Sequence, residues 1–495
     1  FLTLNTDTSA VMDNVSTRST EENDPPNFNV GNPQPLRWLT KIAFGVGHVF
    51  NDMCACVWFT YVLVYFVFVV KFPRDLAGII LLVGQIVDGV STVFAGTVVN
   101  KIKVPFIEER YGKRKTWHLI GSILNFLSFP FTFLPCPGCS DESVGTKLAY
   151  YLFLIIVLQF GWACVQVSHL ALTPVLTNDI HQRSELNTLR NCFQVLSNVL
   201  VYVIAGVAIG LRDVDTDINS SDYTITFRNI VLIIIGIGAV TTVLFHVGVS
   251  EKNAMSVSSS ELESSVEKKH TNWLKKMSFY KISLVFTSSR LFLNLTQLYV
   301  PFYLKDTLHL ADLTLAVVPL IMYLSGFIVS FPVNYCNKFL GRPLTYIMGC
   351  IIGFLGCLWA YFGDGEVFKN YEVYVFGALI GIAGSTIQIA SLTMTSDMIG
   401  NRVKTGAFVY GVLSFMDKLA NGLVGMGVQI GDPTDTDANL TAYYYRDVMT
   451  WVCGGAALLG IISVVTIFDC DKDSEADTLT ENMEVDAHDT PGVVT

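Results

Sequence analysis

Residues 250–276 read SEKNAMSVSSSELESSVEKKHTNWLKK, a Ser-rich, charged stretch in a chain that is otherwise mostly apolar. Six long apolar stretches precede it, at roughly 38–68, 76–100, 116–135, 148–173, 186–211 and 228–249. Six follow it, at roughly 277–303, 313–333, 343–362, 371–396, 405–430 and 447–468. A hydrocarbon core about 30 Å thick takes about 20 apolar residues of helix, so each stretch is long enough to cross it. The expected fold is an all-α integral membrane protein, with twelve transmembrane helices in two six-helix bundles. Its parts are a disordered cytosolic tail (1–37), an N-terminal bundle (38–249), a cytosolic linker (250–276), a C-terminal bundle (277–469) and an acidic cytosolic tail (470–495).

Composition excludes the main alternatives. The 495 residues are 51% hydrophobic and only 15% charged, where a soluble chain carries about 25% charged residues. Mean hydropathy is +0.48. Soluble cores need a charged surface that this sequence cannot supply, which argues against a soluble enzyme or a nucleic-acid binder. The net charge of −10 arises in the tails, from Asp7, Asp13, Glu21, Glu22 and Asp24 and from the acidic run after Asp469. No signal peptide is expected in residues 1–37, which hold no apolar stretch. The opening residue, Phe1 rather than Met, predicts a longer natural chain.

Lys and Arg set the orientation. They crowd the loops on the side of both tails, with Lys101, Lys103, Arg110, Lys113, Arg114, Lys115, Arg183, Lys338, Arg342, Arg402 and Lys404, and are sparser on the other side. Both termini are therefore expected in the cytosol. The sequons at Asn219 and Asn439 fall in opposite-side loops and are expected to carry glycans, whereas those at Asn14 and Asn294 are expected to be silent. Cys136-Pro-Gly-Cys139 also lies on that opposite side, either as a disulfide or as two thiols. Most of the other Cys sit singly in apolar runs.

A faint repeat links the two sets of six. Span two ends Asn100-Lys101 and span eight ends Asn337-Lys338, followed by Gly112-Lys-Arg and Gly341-Arg respectively. Span four ends Thr177-Asn-Asp179 with Arg183 beyond, and span ten ends Thr395-Ser-Asp397 with Arg402 beyond. Repeats of this kind are a transporter signature. The charges at these ends (Arg110, Gly112 beside Lys113 and Arg114, Asp179, Arg183, Asp397, Arg402) suggest a cytosolic gate of salt bridges.

An ionisable side chain inside a bilayer costs about 2.5–3.5 kcal/mol or more and marks a functional path by default. Asp52, Asp88, Arg290 and Lys418 each fall about 20 Å into spans one, two, seven and eleven at 1.5 Å per residue. They can meet only if the two halves pack around a shared cavity. His48 and Asp52 share a helix face, as a proton-carrying pair or as a buried hydrogen bond that holds span one. Gln85, Asp88 and Thr92 form a polar stripe on span two. Arg290 and Lys418 are the candidate carboxylate-binding cations. Gln166 and His169 line a path or join helices. No metal-ligand spacing, phosphate loop or nucleophile elbow is present, so neither a metal nor a cofactor is expected.

Three segments resemble the glycoside–pentoside–hexuronide:cation symporter branch of the major facilitator superfamily. They are Arg110-Tyr-Gly-Lys-Arg-Lys-Thr-Trp-His-Leu-Ile-Gly121, Ala171-Leu-Thr-Pro-Val-Leu-Thr-Asn-Asp179 with Arg183, and Lys404-Thr-Gly406 through Tyr410, Phe415 and Lys418. The resemblance implies the major facilitator fold, alternating access and a solute site that includes Tyr410 and Lys418. The family's cation site uses two acids one turn apart on span two; here they are Asp88 and Thr92. Its acid on span four matches Gln166. One carboxylate of that set remains, which argues against sodium coupling and sugar transport and leaves coupling to protons open. The runs GHVFNDMCACVWFTYVLVYF (47–66), FGWACVQVSHLAL (160–172) and GAFVYGVLSFMDKLANGL (406–423) resemble a member associated with cysteine import into lysosomes and melanosomes and with pigmentation. The expectation is a cysteine importer that touches a small solute and membrane lipid. The rival expectations are a cation-coupled symporter of a sugar or lysophospholipid, and a non-transporting membrane scaffold.

Overall fold

The computed structural model describes residues 36–101, 107–139, 142–177, 179–210, 220–251, 273, 276–399, 403–433 and 438–468. Every apolar stretch is helical there, and the described residues form no strand. We number the long segments α1 (Trp38–Val69), α2 (Arg74–Lys101), α3 (Lys113–Thr132), α4 (Val144–Leu176), α5 (Ile180–Gly210) and α6 (Ser220–Gly248). The second six are α7 (Met277–Phe302), α8 (Thr314–Phe339), α9 (Arg342–Phe362), α10 (Gly365–Ile399), α11 (Val403–Ile430) and α12, which runs from Ala438 to Phe468 through a wide turn at Val448–Cys453.

Nine helices among the described residues are long and apolar enough to cross a membrane. The three that fall short, α3, α7 and α11, hold buried polar side chains: His118, Ser122 and Asn125; Ser283, Ser288 and Ser289; Asp417 and Asn421. Their low hydropathy reflects an inward polar face, since polar groups in a bilayer turn toward protein partners.

The packing repeats with a period of six helices. Helix α1 packs on α5 and α6, α2 on α4, and α3 on α4 and α6. Likewise α7 packs on α11 and α12, α8 on α10, and α9 on α10 and α12. The corner before each third helix repeats as well. Gly112 precedes α3 at φ +99° and Gly341 precedes α9 at φ +84°, a left-handed backbone that a side chain disfavours. The weak sequence match Gly-Lys-Arg/Gly-Arg therefore marks a shared backbone geometry.

The halves meet along α2–α11, α5–α8 and α1–α7. Call the face holding residues 36 and 468 the near face, and the opposite one the far face. Toward the far face α2 and α11 touch backbone to backbone: a Cβ on Gly78 would lie 2.8 Å from Gln429, and one on Gly422 2.9 Å from Leu82. Toward the near face they part. Val93 and Phe94 of α2 and Phe408 of α11 are exposed, and neither Gly96 nor Gly411 has an atom within 4 Å of an added Cβ.

Ion pairs hold the far side shut. Arg74, at the start of α2, donates to Tyr445 Oη at 2.6 Å and lies 3.0 Å from Asp306 and 2.9 Å from Asp432, all three in the second half. Tyr223 of α6 donates to both oxygens of Asp312 at 2.8 Å and accepts from Lys305. Tyr61 donates to the Leu315 carbonyl at 3.2 Å. The molecule is a wedge, closed at the far face with its cleft opening toward the near one.

Candidate functional site

The interface of α2 and α11 supplies the central charges. Lys418 Nζ lies 2.7 Å from Asp88 Oδ1 and donates to Thr92 Oγ1 at 2.9 Å. Thr92 in turn donates to the Asp88 carbonyl at 2.8 Å, so one ammonium is held between the two polar positions of the α2 stripe. Their side chains are 14% and 5% exposed for Lys418 and Asp88, enough for the pair to border the cleft without being screened by bulk water. Gln85, the third member of the stripe, is buried against α11, and its Oε1 has no hydrogen-bond partner among the described residues.

Asp417, which sequence reading did not place in the site, points to a different partner. Neighbours on a helix diverge by about 100°, and Asp417 interacts with Arg290 of α7 as well as with Lys418 and Asp88. Asn421 Nδ2 donates to Asp417 Oδ1 at 2.6 Å. Arg290 also lies over the Phe286 ring, 5.4 Å from its centroid. Two acids and two bases from α2, α7 and α11 thus form one charge cluster. Only Asp88 and Lys418 are in ion-pair contact.

His48 and Asp52 do not join that cluster. His48 Nδ1 lies 2.8 Å from Asp52 Oδ1, an ion-pair distance without good hydrogen-bond alignment. The longer-range partner of Asp52 is Arg190 of α5. Gln166 is half-buried on α4, and Tyr410 stands two turns nearer the near face than Lys418, 36% exposed.

The expected gate residues divide between the halves. Arg114 pairs with Glu251 at 3.3 Å, and the backbone N–H groups of Arg114 and Lys115 donate to Glu251 Oε2 at 2.9 and 3.0 Å. Glu251, buried and just past α6, was not anticipated: nothing local in the sequence links it to Gly112. Asp179 accepts from Gln182 at 3.1 Å, and Arg183 donates to the Thr177 carbonyl at 2.8 Å. Asp397 pairs with Arg342. Arg402 and Asn219 lie outside the described residues, as does Asn14. Arg110 sits in the helical turn Glu108–Tyr111 and Asn439 at the start of α12, and the side chains of both, like that of Lys404, lie outside what is described. Cys136 and Cys139 form a disulfide at the far face, bordering a pocket of about 250 Å³ with Tyr65, Lys147 and Tyr151.

Two equivalent six-helix sets around a charged cleft define a membrane transporter rather than an enzyme. The chain belongs to the MFS/sugar transport protein family, whose pattern matches residues 43–468. It is 36% identical to the human major facilitator superfamily domain-containing protein 12, over 88% of this chain and 94% of that one. It is also 36% identical to the mouse protein of that name, over 90% and 96%. Its fold matches a bacterial homologue of the iron transporter ferroportin in its inward-facing state, with a TM-score of 0.62 at 13% identity over 87% of this chain and 99% of that one.

Proposed function

We propose that this transporter moves a zwitterionic amino acid, cysteine, from the cytosol into lysosomes and melanosomes by alternating access, with both termini cytosolic. The observation that carries the reading is the Asp88–Lys418 pair spanning the two halves at 2.7 Å. A zwitterion offers a carboxylate to Lys418 or Arg290 and an ammonium to Asp88, so it can replace an intraprotein pair with two pairs of its own. Exchange of this kind ties binding to the relative position of α2 and α11, which alternating access requires. The Lys418 ammonium occupies the space between Asp88 and Thr92 where the symporter family holds a cation, which favours protons over sodium as the coupling ion. The near face is then the cytosolic one, and the cleft is open to it.

Uptake of radiolabelled cysteine into proteoliposomes containing the purified chain tests this reading. Saturable uptake is expected, unaffected by replacing sodium with potassium and competed by other small zwitterions more than by sugars. Absence of uptake, or competition by sugars alone, would overturn it.

A further inference from the structure

The first half contains a feature that the central charges do not use. Four of the eight histidines of the chain, His48, His118, His169 and His246, come from α1, α3, α4 and α6 and stand in one row. Ring centroids are 5.0 Å apart for His246 and His118, 6.0 Å for His118 and His169, and 5.4 Å for His169 and His48. Tyr111, in the turn before α3, begins the row at the near face, and the buried Asp52 ends it inside the first half. The described residues contain no group of His, Cys, Asp and Glu that could hold a metal ion.

The row exists because α1 is broken. Helical hydrogen bonding lapses at Gly47–His48, between Trp38–Val46 and Val49–Val64. The break leaves the carbonyls of Phe44 and Gly47 facing neighbouring helices. His169 Nε2 reaches Phe44 O at 2.8 Å and His118 Nε2 reaches Gly47 O at 3.1 Å.

Those carbonyls only accept, so they fix the tautomers along the row. His118 carries its proton on Nε2, which makes its Nδ1 an acceptor. His246 Nε2, 3.2 Å away, is then the donor to it. His246 Nδ1 must accept, and the Tyr111 hydroxyl donates to it at 2.5 Å. At the other end Asn51 Nδ2 donates to His48 Nε2 at 3.3 Å, which puts the His48 proton on Nδ1, 2.8 Å from Asp52 Oδ1 though not aligned on it. His169 is left with a bare Nδ1, fully buried and without a hydrogen-bond partner among the described residues.

We infer that His246, His118, His169 and His48 form a proton relay joining Tyr111 at the near face to the buried Asp52, the coupling path of the transport activity proposed above. Tyr111 passes its proton to His246 Nδ1 and regains one from water. His246 releases its Nε2 proton to His118 Nδ1. His118 yields its own Nε2 proton toward the bare Nδ1 of His169, by ring rotation or through one water. His169 passes a proton on to His48 Nε2, and His48 hands its Nδ1 proton to Asp52. Each ring takes a proton on one nitrogen and releases one from the other, so charge and protons balance at every step. Asp52 is only 3% exposed, so the cleft gives it little water of its own.

Charged groups flank the row at both ends. Lys115 of α3 lies against the outer end, donating to the His246 carbonyl at 3.0 Å and standing 4.3 Å from the Tyr111 ring centroid. Glu251, past α6, is held by Arg114 and the backbone beside it. Arg190 of α5 interacts with Asp52, His48 and His169 at the inner end, and its Nε is buried without a hydrogen-bond partner among the described residues. Arg190 therefore places a positive charge beside the inner end of the row.

Capping alone does not require four imidazoles, and it suggests the test. His118→Gln and His169→Gln keep an N–H for the Gly47 and Phe44 carbonyls but remove the basic nitrogen. In proteoliposomes, cysteine counterflow without a pH gradient is expected to persist. Accumulation driven by a pH gradient is expected to fall at least about tenfold, the scale of a lost proton-transfer group. Retention of gradient-driven accumulation would overturn the relay, as would equal loss of both activities in folded protein. An infrared arm needs no substrate: protonation of the Asp52 carboxyl after a pH jump, identified by its absence in Asp52→Asn, is expected to slow at least about tenfold in the Gln variants. An unchanged rate would overturn the relay, and failure of the unmodified protein to move cysteine, with this arm intact, would instead reject the transport reading. If a Gln variant does not fold, ¹⁵N spectra of the unmodified protein decide: His118 and His246 must titrate together, and independent titration would overturn the relay.

Discussion

Lys418 Nζ and Asp88 Oδ1 stand 2.7 Å apart on helices from opposite halves, the shortest ion pair between the halves among the described residues. Removing one partner leaves the other charge buried, at a cost of about 3–5 kcal/mol. Asp88→Asn and Lys418→Met are expected to abolish uptake while part of the protein still reaches its membrane. The double variant is expected to melt at a higher temperature than either single one and still not transport. Uptake at the unmodified rate in both single variants would show the pair to be structural.

The far-side seal depends on Arg74 more than on any other side chain. Arg74→Gln removes the cation beside Asp432, whose side chain is fully buried, and beside Asp306. Loss of one partner of such a buried pair costs about 3–5 kcal/mol, a cost borne by the sealed form only. The variant is expected to open at the far face. A cysteine at Gln297, which donates to Thr60 across the halves at 2.9 Å, should then react faster with a membrane-impermeant maleimide from that side. Equal labelling rates would contradict this role.

Burial pushes the Asp306 carboxyl above its usual 3.8, against the pull of Arg74 and Lys305. A raised value means that the sealed form binds this proton more tightly than a form in which Asp306 is exposed. Its stabilisation is therefore complete below 3.8 and fades as pH rises through the raised value. Thermal melts of the unmodified protein and Asp306→Asn, compared across the acidic range, should differ in slope in that window. Parallel curves would count against the linkage.

Glycans report orientation. Asn219 and Asn439 are expected to be modified and Asn14 not, as read by glycosidase shifts of single Asn→Gln variants. A glycan on Asn14 would invert the topology.

Two glycines in equivalent corners should respond unequally. Alanine at Gly112 or Gly341 meets the same positive-φ backbone penalty of about 1–3 kcal/mol. At Gly112 the new methyl would also lie within 2.6 Å of the Glu251 side chain, whereas at Gly341 nothing lies within 4 Å. Gly112→Ala is expected to lower the melting temperature more than Gly341→Ala. Equal shifts would refute the difference.

Much of this architecture is written locally. Twenty-residue apolar runs announce helices one by one, and the polar break at 250–276 divides them evenly. Asp88 and Lys418 stand out because charges within such runs are rare. The histidine row and the far-side seal are not legible in this way. Arg74 and Tyr445 are 371 residues apart and each lies at a helix end, where polar residues are ordinary. His118, His169 and His246 are single residues on three helices, and the break in α1 gives two of them, His118 and His169, carbonyls to reach. A sequence clue exists in hindsight: five of the eight histidines fall in the first half, on α1 or on helices that pack near it, and four of these make the row. Spacing cannot show that they face one another.

The corners at Gly112 and Gly341 also assign unequal duties to the two halves. In the first half the corner is clamped by a carboxylate with no solvent exposure, Glu251, gripping Arg114 and two backbone amides. In the second half the matching arginine, Arg342, meets Asp397 where the two side chains are 44% and 40% exposed, and an ion pair so hydrated is worth about 0–1 kcal/mol. The first half thus carries its histidine row beside a bolted corner, and the second half has a looser joint at the place where its twin is fixed.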